Sequence, residues 1–92
     1  MKKLEIAYLI YQYTKETGSE TFTYRQFQAY VSKKRPELHP NTVERILRSL
    51  AEEGYLDRNY IRSRKYHRRI ALYSINNRLL DLLRYYGLRV GQ

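Results

Sequence analysis

Six basic side chains, Arg58, Arg62, Arg64, Lys65, Arg68 and Arg69, fall within twelve residues, and no acid lies between Asp57 and Asp81. Arginine and lysine at that density suit phosphate groups. About six phosphate contacts predict a slope of log affinity against log salt near −5, because each contact releases roughly 0.9 of a counterion. Tyr60, Tyr66 and His67 are interspersed among the charges, so an aromatic ring could reach a sugar while Arg64 or Lys65 enters a minor groove. The same charges would also guard an exposed strand edge against pairing with another chain. That task is indifferent to sign, however, and here the sign is uniform.

A second set lies upstream. Val43, Ile46, Leu47 and Leu50 recur at helical spacing after Pro40, a residue suited to the first helical position. If these four pack inward, a rotation of about 100° per residue leaves Asn41, Thr42, Arg45 and Arg48 facing out, with Glu44 on the margin. Those residue types can read base edges: Arg pairs bidentately with guanine, Asn with adenine, and the Thr methyl touches thymine. Any solvated helix face also bears polar residues, and Arg48 with Glu52 four residues on could form a plain surface ion pair. Tyr24 and Arg25, near the start of an earlier helix, could reach a phosphate backbone, as could Lys33, Lys34 and Arg35. The last three equally suit the helix dipole, which favours cations at that end without any ligand.

No constellation for catalysis accompanies these groups. The two histidines, His39 and His67, lack metal-ligand spacing; the first suits a helix cap or a phosphate contact. Cysteine is absent, which removes disulfides, thiolate chemistry and Cys-based zinc sites. The four glycines stand singly, so there is no phosphate-cradling loop. Eleven tyrosines could include a nucleophile, but no histidine pair or acid cluster stands beside one, and packing accounts for them better. The reading is of a chain that is not an enzyme and uses no cofactor or metal.

Eighteen Lys and Arg against nine Asp and Glu give a formal charge of +9 over 92 residues, which favours polyanionic partners. A length of this order builds one small core, so one domain spanning 1–92 is expected. No apolar run approaches the roughly 20 residues of a membrane span, and no secretory segment is visible after Lys2 and Lys3. An intracellular, cytoplasmic location with access to nucleoid DNA follows as an expectation. The high Tyr and Arg content without tryptophan resembles the composition of thermophile or archaeal-virus proteins.

Periodicity divides the chain into helices at 2–17, 24–34, 40–53 and 77–86 and a hairpin at 55–75. Thr23 with Gln26 forms a capping-box pattern, Pro36 ends the second helix, Gly54 ends the third, and Asn76 or Asn77 caps the fourth. Thr21 to Thr23 could add a third strand. In the fourth helix Leu79, Leu82, Leu83 and Tyr86 make one apolar stripe, with more apolar surface than a single contact needs.

The stretch HPNTVERILRSLAEEGYLDR at 39–58 resembles the recognition helix and first wing strand of winged helix-turn-helix transcription regulators, including those of archaea and their viruses, and RRIALYSI at 68–75 is similar to the second wing strand. The resemblance implies an α+β fold: a three-helix core, a β-hairpin wing and a C-terminal helix. It also implies a sequence-specific regulator of double-stranded DNA whose terminal helices pair two protomers, here through Leu79, Leu82, Leu83 and Tyr86. The helix at 40–53 would enter the major groove and the hairpin would hold the backbone or minor groove. Two other functions stay open: a non-specific architectural or replication-associated DNA coat, and a protein-interaction module of a larger complex.

Overall fold

The computed structural model describes residues 2–65 and 67–90. Its order is α1 (Lys2–Thr17), β1 (Thr21–Thr23), α2 (Tyr24–Lys34), α3 (Pro40–Glu52), β2 (Leu56–Ser63), β3 (Arg68–Ile75) and α4 (Asn77–Tyr85). The protein is thus α+β, with four helices and one antiparallel sheet in the order β1-β3-β2. Tyr66 in the hairpin turn lies outside the described residues. Among those described, no helix is long and apolar enough to cross a membrane.

Local chemistry sets the helix ends. Thr23 accepts from the Gln26 amide at 3.3 Å, while the Gln26 side chain accepts from the Thr23 amide at 2.9 Å, so two otherwise orphaned donors at the α2 start are satisfied reciprocally. His39 Nδ1 accepts from the Asn41 amide at 3.1 Å and caps α3. The third helix stops at Glu52, one residue before the expected end, because Glu53 and Gly54 already turn the chain back. Gly54 adopts φ +86, and the Tyr55 amide donates to the Leu50 carbonyl at 2.8 Å. Arg78 also crosses close to Gly54, so that a Cβ there would collide with its guanidinium, which itself lies 4.9 Å from the Tyr55 ring centroid.

Asn76 ties three elements together. Its Oδ1 accepts from the Leu79 amide at 3.1 Å, capping α4, and its Nδ2 donates to the Gly54 carbonyl at 3.0 Å and to Asp57 Oδ1 at 3.3 Å. The fourth helix ends at Tyr85, with Tyr86 as its cap.

The core gathers Ile6, Ala7, Leu9, Ile10 and Tyr13 of α1, Phe27 and Val31 of α2, and the α3 stripe Val43, Ile46, Leu47 and Leu50. Phe22, Leu56 and Tyr73 bring the sheet onto it, with Tyr13 edge-on to Phe22 at 5.6 Å and to Phe27 at 6.0 Å between ring centroids. Leu79 and Leu83 are fully buried in this same cluster, where α4 packs on α1. Two members of the expected dimer stripe, Leu79 and Leu83, are thus covered by the chain's own core. Leu82 is half-buried, and Tyr85 and Tyr86 remain exposed.

Candidate nucleic-acid interface

Register decides which hairpin residues face the helices. The pairs Leu56↔Ile75, Arg58↔Tyr73, Tyr60↔Ala71 and Arg62↔Arg69 share one sheet face, because alternate residues of each strand point the same way. The first two pairs sit over the core, where Leu56 and Tyr73 are buried. The later pairs run past it. On the other side of β3, β1 pairs only with Leu72, Tyr73 and Ser74, so residues 68–71 form a free edge.

Beyond the core this sheet face, the start of α2 and the outer side of α3 enclose a groove of about 530 Å³. Seven of the expected contact residues line it: Tyr24 and Arg25 from α2, Glu44 and Arg48 from α3, and Arg58, Arg68 and Arg69 from the hairpin. Elements more than forty residues apart in sequence therefore present cations to one surface. Asn41 and Arg45 are exposed and continue the Arg48 stripe at helical spacing towards the α3 start, with Thr42 half-buried beside them. Arg62, Arg64 and His67 surround a separate hollow of about 260 Å³ with Ser63 at the hairpin tip, where His67 takes the left-handed conformation at φ +53. Lys65 is exposed in the same turn.

Electrostatics sharpen this picture. Among the described residues, Arg25, Arg45, Arg58, Arg62 and Arg64 make no ion pair. Arg62 and Arg69 stand directly opposite across the strands, a like-charge arrangement that costs stability unless an anion intervenes. Arg69 lies over the Tyr60 ring at 4.6 Å from guanidinium carbon to centroid. The Arg48 guanidinium is 3.7 Å from Glu44, not paired with Glu52. An acid N-terminal to its cation at this spacing also suits the helix dipole, whereas the reverse order does not.

The Tyr24 hydroxyl donates to the Pro40 carbonyl at 3.3 Å and joins the starts of α2 and α3. Burial, and then the Glu44 carboxylate, raise its pKa above the usual tyrosine value, which keeps it a donor. Lys33 is exposed, while Lys34 and Arg35 are engaged with acids: Lys34 meets Glu16 at 3.3 Å, and Arg35 pairs with Glu37 and with Glu5.

Sequence reasoning left Thr23, Ile70, Ala71 and Tyr73 out of the site and treated Tyr60 as one of three interchangeable aromatics. Alternation along β2 puts Tyr60 on the Arg58 face, and the strand register adds Arg69 to it. The order of the aromatic among the charges was the available signal. Among the described residues, no group of three His, Asp or Glu side chains could hold a metal ion. Comparison with known proteins gives no matching family model, no matching curated protein and no matching solved structure.

Proposed function

We propose that the protein is a sequence-specific regulator of transcription that binds double-stranded DNA inside the cell, with α3 in the major groove and the hairpin on the backbone or in the minor groove. The observation that carries this reading is the common surface on which Arg25 of α2, Arg48 of α3 and Arg58 and Arg69 of the hairpin meet. The helix order and three-stranded sheet are compatible with a winged helix-turn-helix, in which α2 and α3 are the helix pair and β2 with β3 the wing. In this reading Asn41, Thr42 and Arg45 contact bases, Arg48 supports them, and the hairpin cations hold phosphates.

Selection of binding sites from a random duplex pool at two salt concentrations tests the proposal. A recurring motif is expected, together with steep salt dependence. Arg45→Ala should cost about 1–3 kcal/mol at a single base position; equal losses on cognate and random duplex would remove base reading from that residue. The second reading, a coat without sequence preference, is favoured by one specific feature: most groove cations lie on strands, which meet backbone, rather than on α3. A pool that enriches no motif while retaining the salt dependence would establish it.

The proposal includes a homodimer that sets two α3 helices about 34 Å apart for a palindromic site. Its contact face is now Leu82, Tyr85 and Tyr86, since Leu79 and Leu83 are occupied by the core. Sedimentation of a monomer at micromolar concentration would remove this part alone.

A further inference from the structure

The groove between α2, α3 and the hairpin contains more than a run of phosphates requires. A sugar-phosphate backbone is held by cations and amides, and Arg25, Arg48 and Arg58 already supply those. Aromatic surface can touch a sugar but does not hold a phosphate. Yet Tyr60 stands on the groove wall with 51% of its surface in solvent, even with Arg69 stacked over its ring. Beneath it the lining turns apolar, with half-buried Ala71 and the buried ring of Tyr73. Phenol and guanidinium planes are the surfaces on which nucleobases stack.

Two further features fit the same ligand. The volume of about 530 Å³ lies within the roughly 300–1,000 Å³ typical of small-molecule sites. Glu44 also places a carboxylate among the arginines, where it would repel a passing backbone but can accept a hydrogen bond from the exocyclic amine of a base. We propose that this groove binds a single unpaired nucleotide, with its base against the Tyr60–Arg69 stack and its phosphate on Arg58, which makes no ion pair among the described residues. A base inside a duplex offers only its edges, because its faces are covered by its neighbours, so the nucleotide must come from outside the stack. It is either an unpaired position in a DNA strand or a free mononucleotide; the first origin rests on the DNA-binding reading above, the second does not.

Fluorescence anisotropy at low salt would compare a short paired duplex, the same duplex with one unpaired deoxyadenosine, and the same duplex with an abasic residue at that position. Deoxyadenosine monophosphate alone would be titrated in parallel, read by NMR. The bulged duplex is expected to bind about tenfold more tightly than the other two, the size of one base stacked on an aromatic ring. Tyr60→Ala should abolish the ratio between bulged and abasic duplexes, and Tyr60→Phe, which keeps the ring, should preserve it. Mononucleotide binding that is lost in Tyr60→Ala, without any preference among duplexes, would sustain the site and assign it to a free nucleotide. Equal affinity for all three duplexes with no mononucleotide binding would overturn the inference while leaving duplex recognition standing. Failure to bind any duplex would instead overturn the DNA reading, and the mononucleotide arm would then decide the groove alone.

Discussion

On the flank formed by α1, the end of α2 and the loop after it, carboxylates have cations beside them. Glu5 and Glu37 share Arg35, Glu16 meets Lys34 and the Tyr30 hydroxyl, and Glu53 meets Lys3. On the hairpin flank Arg58, Arg62 and Arg64 have no such neighbour among the described residues, and Arg62 faces Arg69. The same residue type thus does two things in one small protein. Paired arginines at the surface contribute little to stability and are satisfied as they stand. Unpaired ones repel each other and hold an attraction in reserve for an anion. What separates the flanks is that acids stand among the cations of the first, whereas the hairpin from Arg58 to Ile75 carries five arginines and no acid.

The largest expected effect tests the core that both flanks share. Leu79→Ala should lower stability by about 2–5 kcal/mol in denaturant unfolding, and the loss should not depend on protein concentration, because the side chain fills the core and not a partner's surface. A loss that grew on dilution would return Leu79 to a dimer interface.

Next comes the contrast itself. The double variant Arg58→Ala, Arg69→Ala should weaken DNA binding about tenfold or more and reduce the magnitude of the salt slope by about 1.8, while leaving the melting temperature close to that of the parent. A large fall in melting temperature would show that these cations support the fold as the paired ones do.

A smaller loss, about 1–2 kcal/mol, is expected for Asn76→Ala, which removes the α4 cap together with the bonds to Gly54 and Asp57. Thermal unfolding would measure it.

The smallest effect belongs to the paired flank. A hydrogen bond from Arg35, then a backbone hydrogen bond and lastly the Arg35 charge hold the Glu37 carboxyl below its ordinary value of 4.5, while Glu37 raises Arg35. A lowered carboxyl stabilises the folded state above its unfolded value and loses that contribution as pH falls through the lowered one. Melting temperature in Glu37→Gln should therefore track the parent at acid pH and fall slightly below it near neutrality. Parallel curves at every pH would remove the pair from the balance.

Much of the scaffold was legible because its signals are local. Thr23 with Gln26, Pro40 and Gly54 each satisfy or forbid a backbone group within a few residues, so spacing alone places them. Thr21 to Thr23 did become a strand, as its β-branched threonines suggest, and it buries Phe22 opposite Tyr73. The fourth helix shows the limit. Periodicity identifies Leu79, Leu82 and Leu83 as one apolar face but not what covers it, and the covering surface is α1, more than sixty residues away in sequence.

The interface divides in the same way. Exposure of Asn41, Arg45 and Arg48 follows from rotation about one helix. The choice of Glu44 over Glu52 as the Arg48 partner depends on direction along the dipole, and spacing alone does not distinguish them. The groove needed the register of two strands against a helix, which no window of sequence contains.

At about 3.3 Å per residue, the eight residues of β2 and of β3 extend roughly 26 Å, yet only Leu56 and Tyr73, near their base, are buried. Past that point the ribbon is a cantilever, held to its neighbour by the backbone ladder and to the rest of the protein by its root. Twisting the two strands would re-aim its free end without unpacking a single core side chain. If the protein binds DNA as proposed, polyanions whose charged rims lie at different separations would then be gripped by one unchanged body.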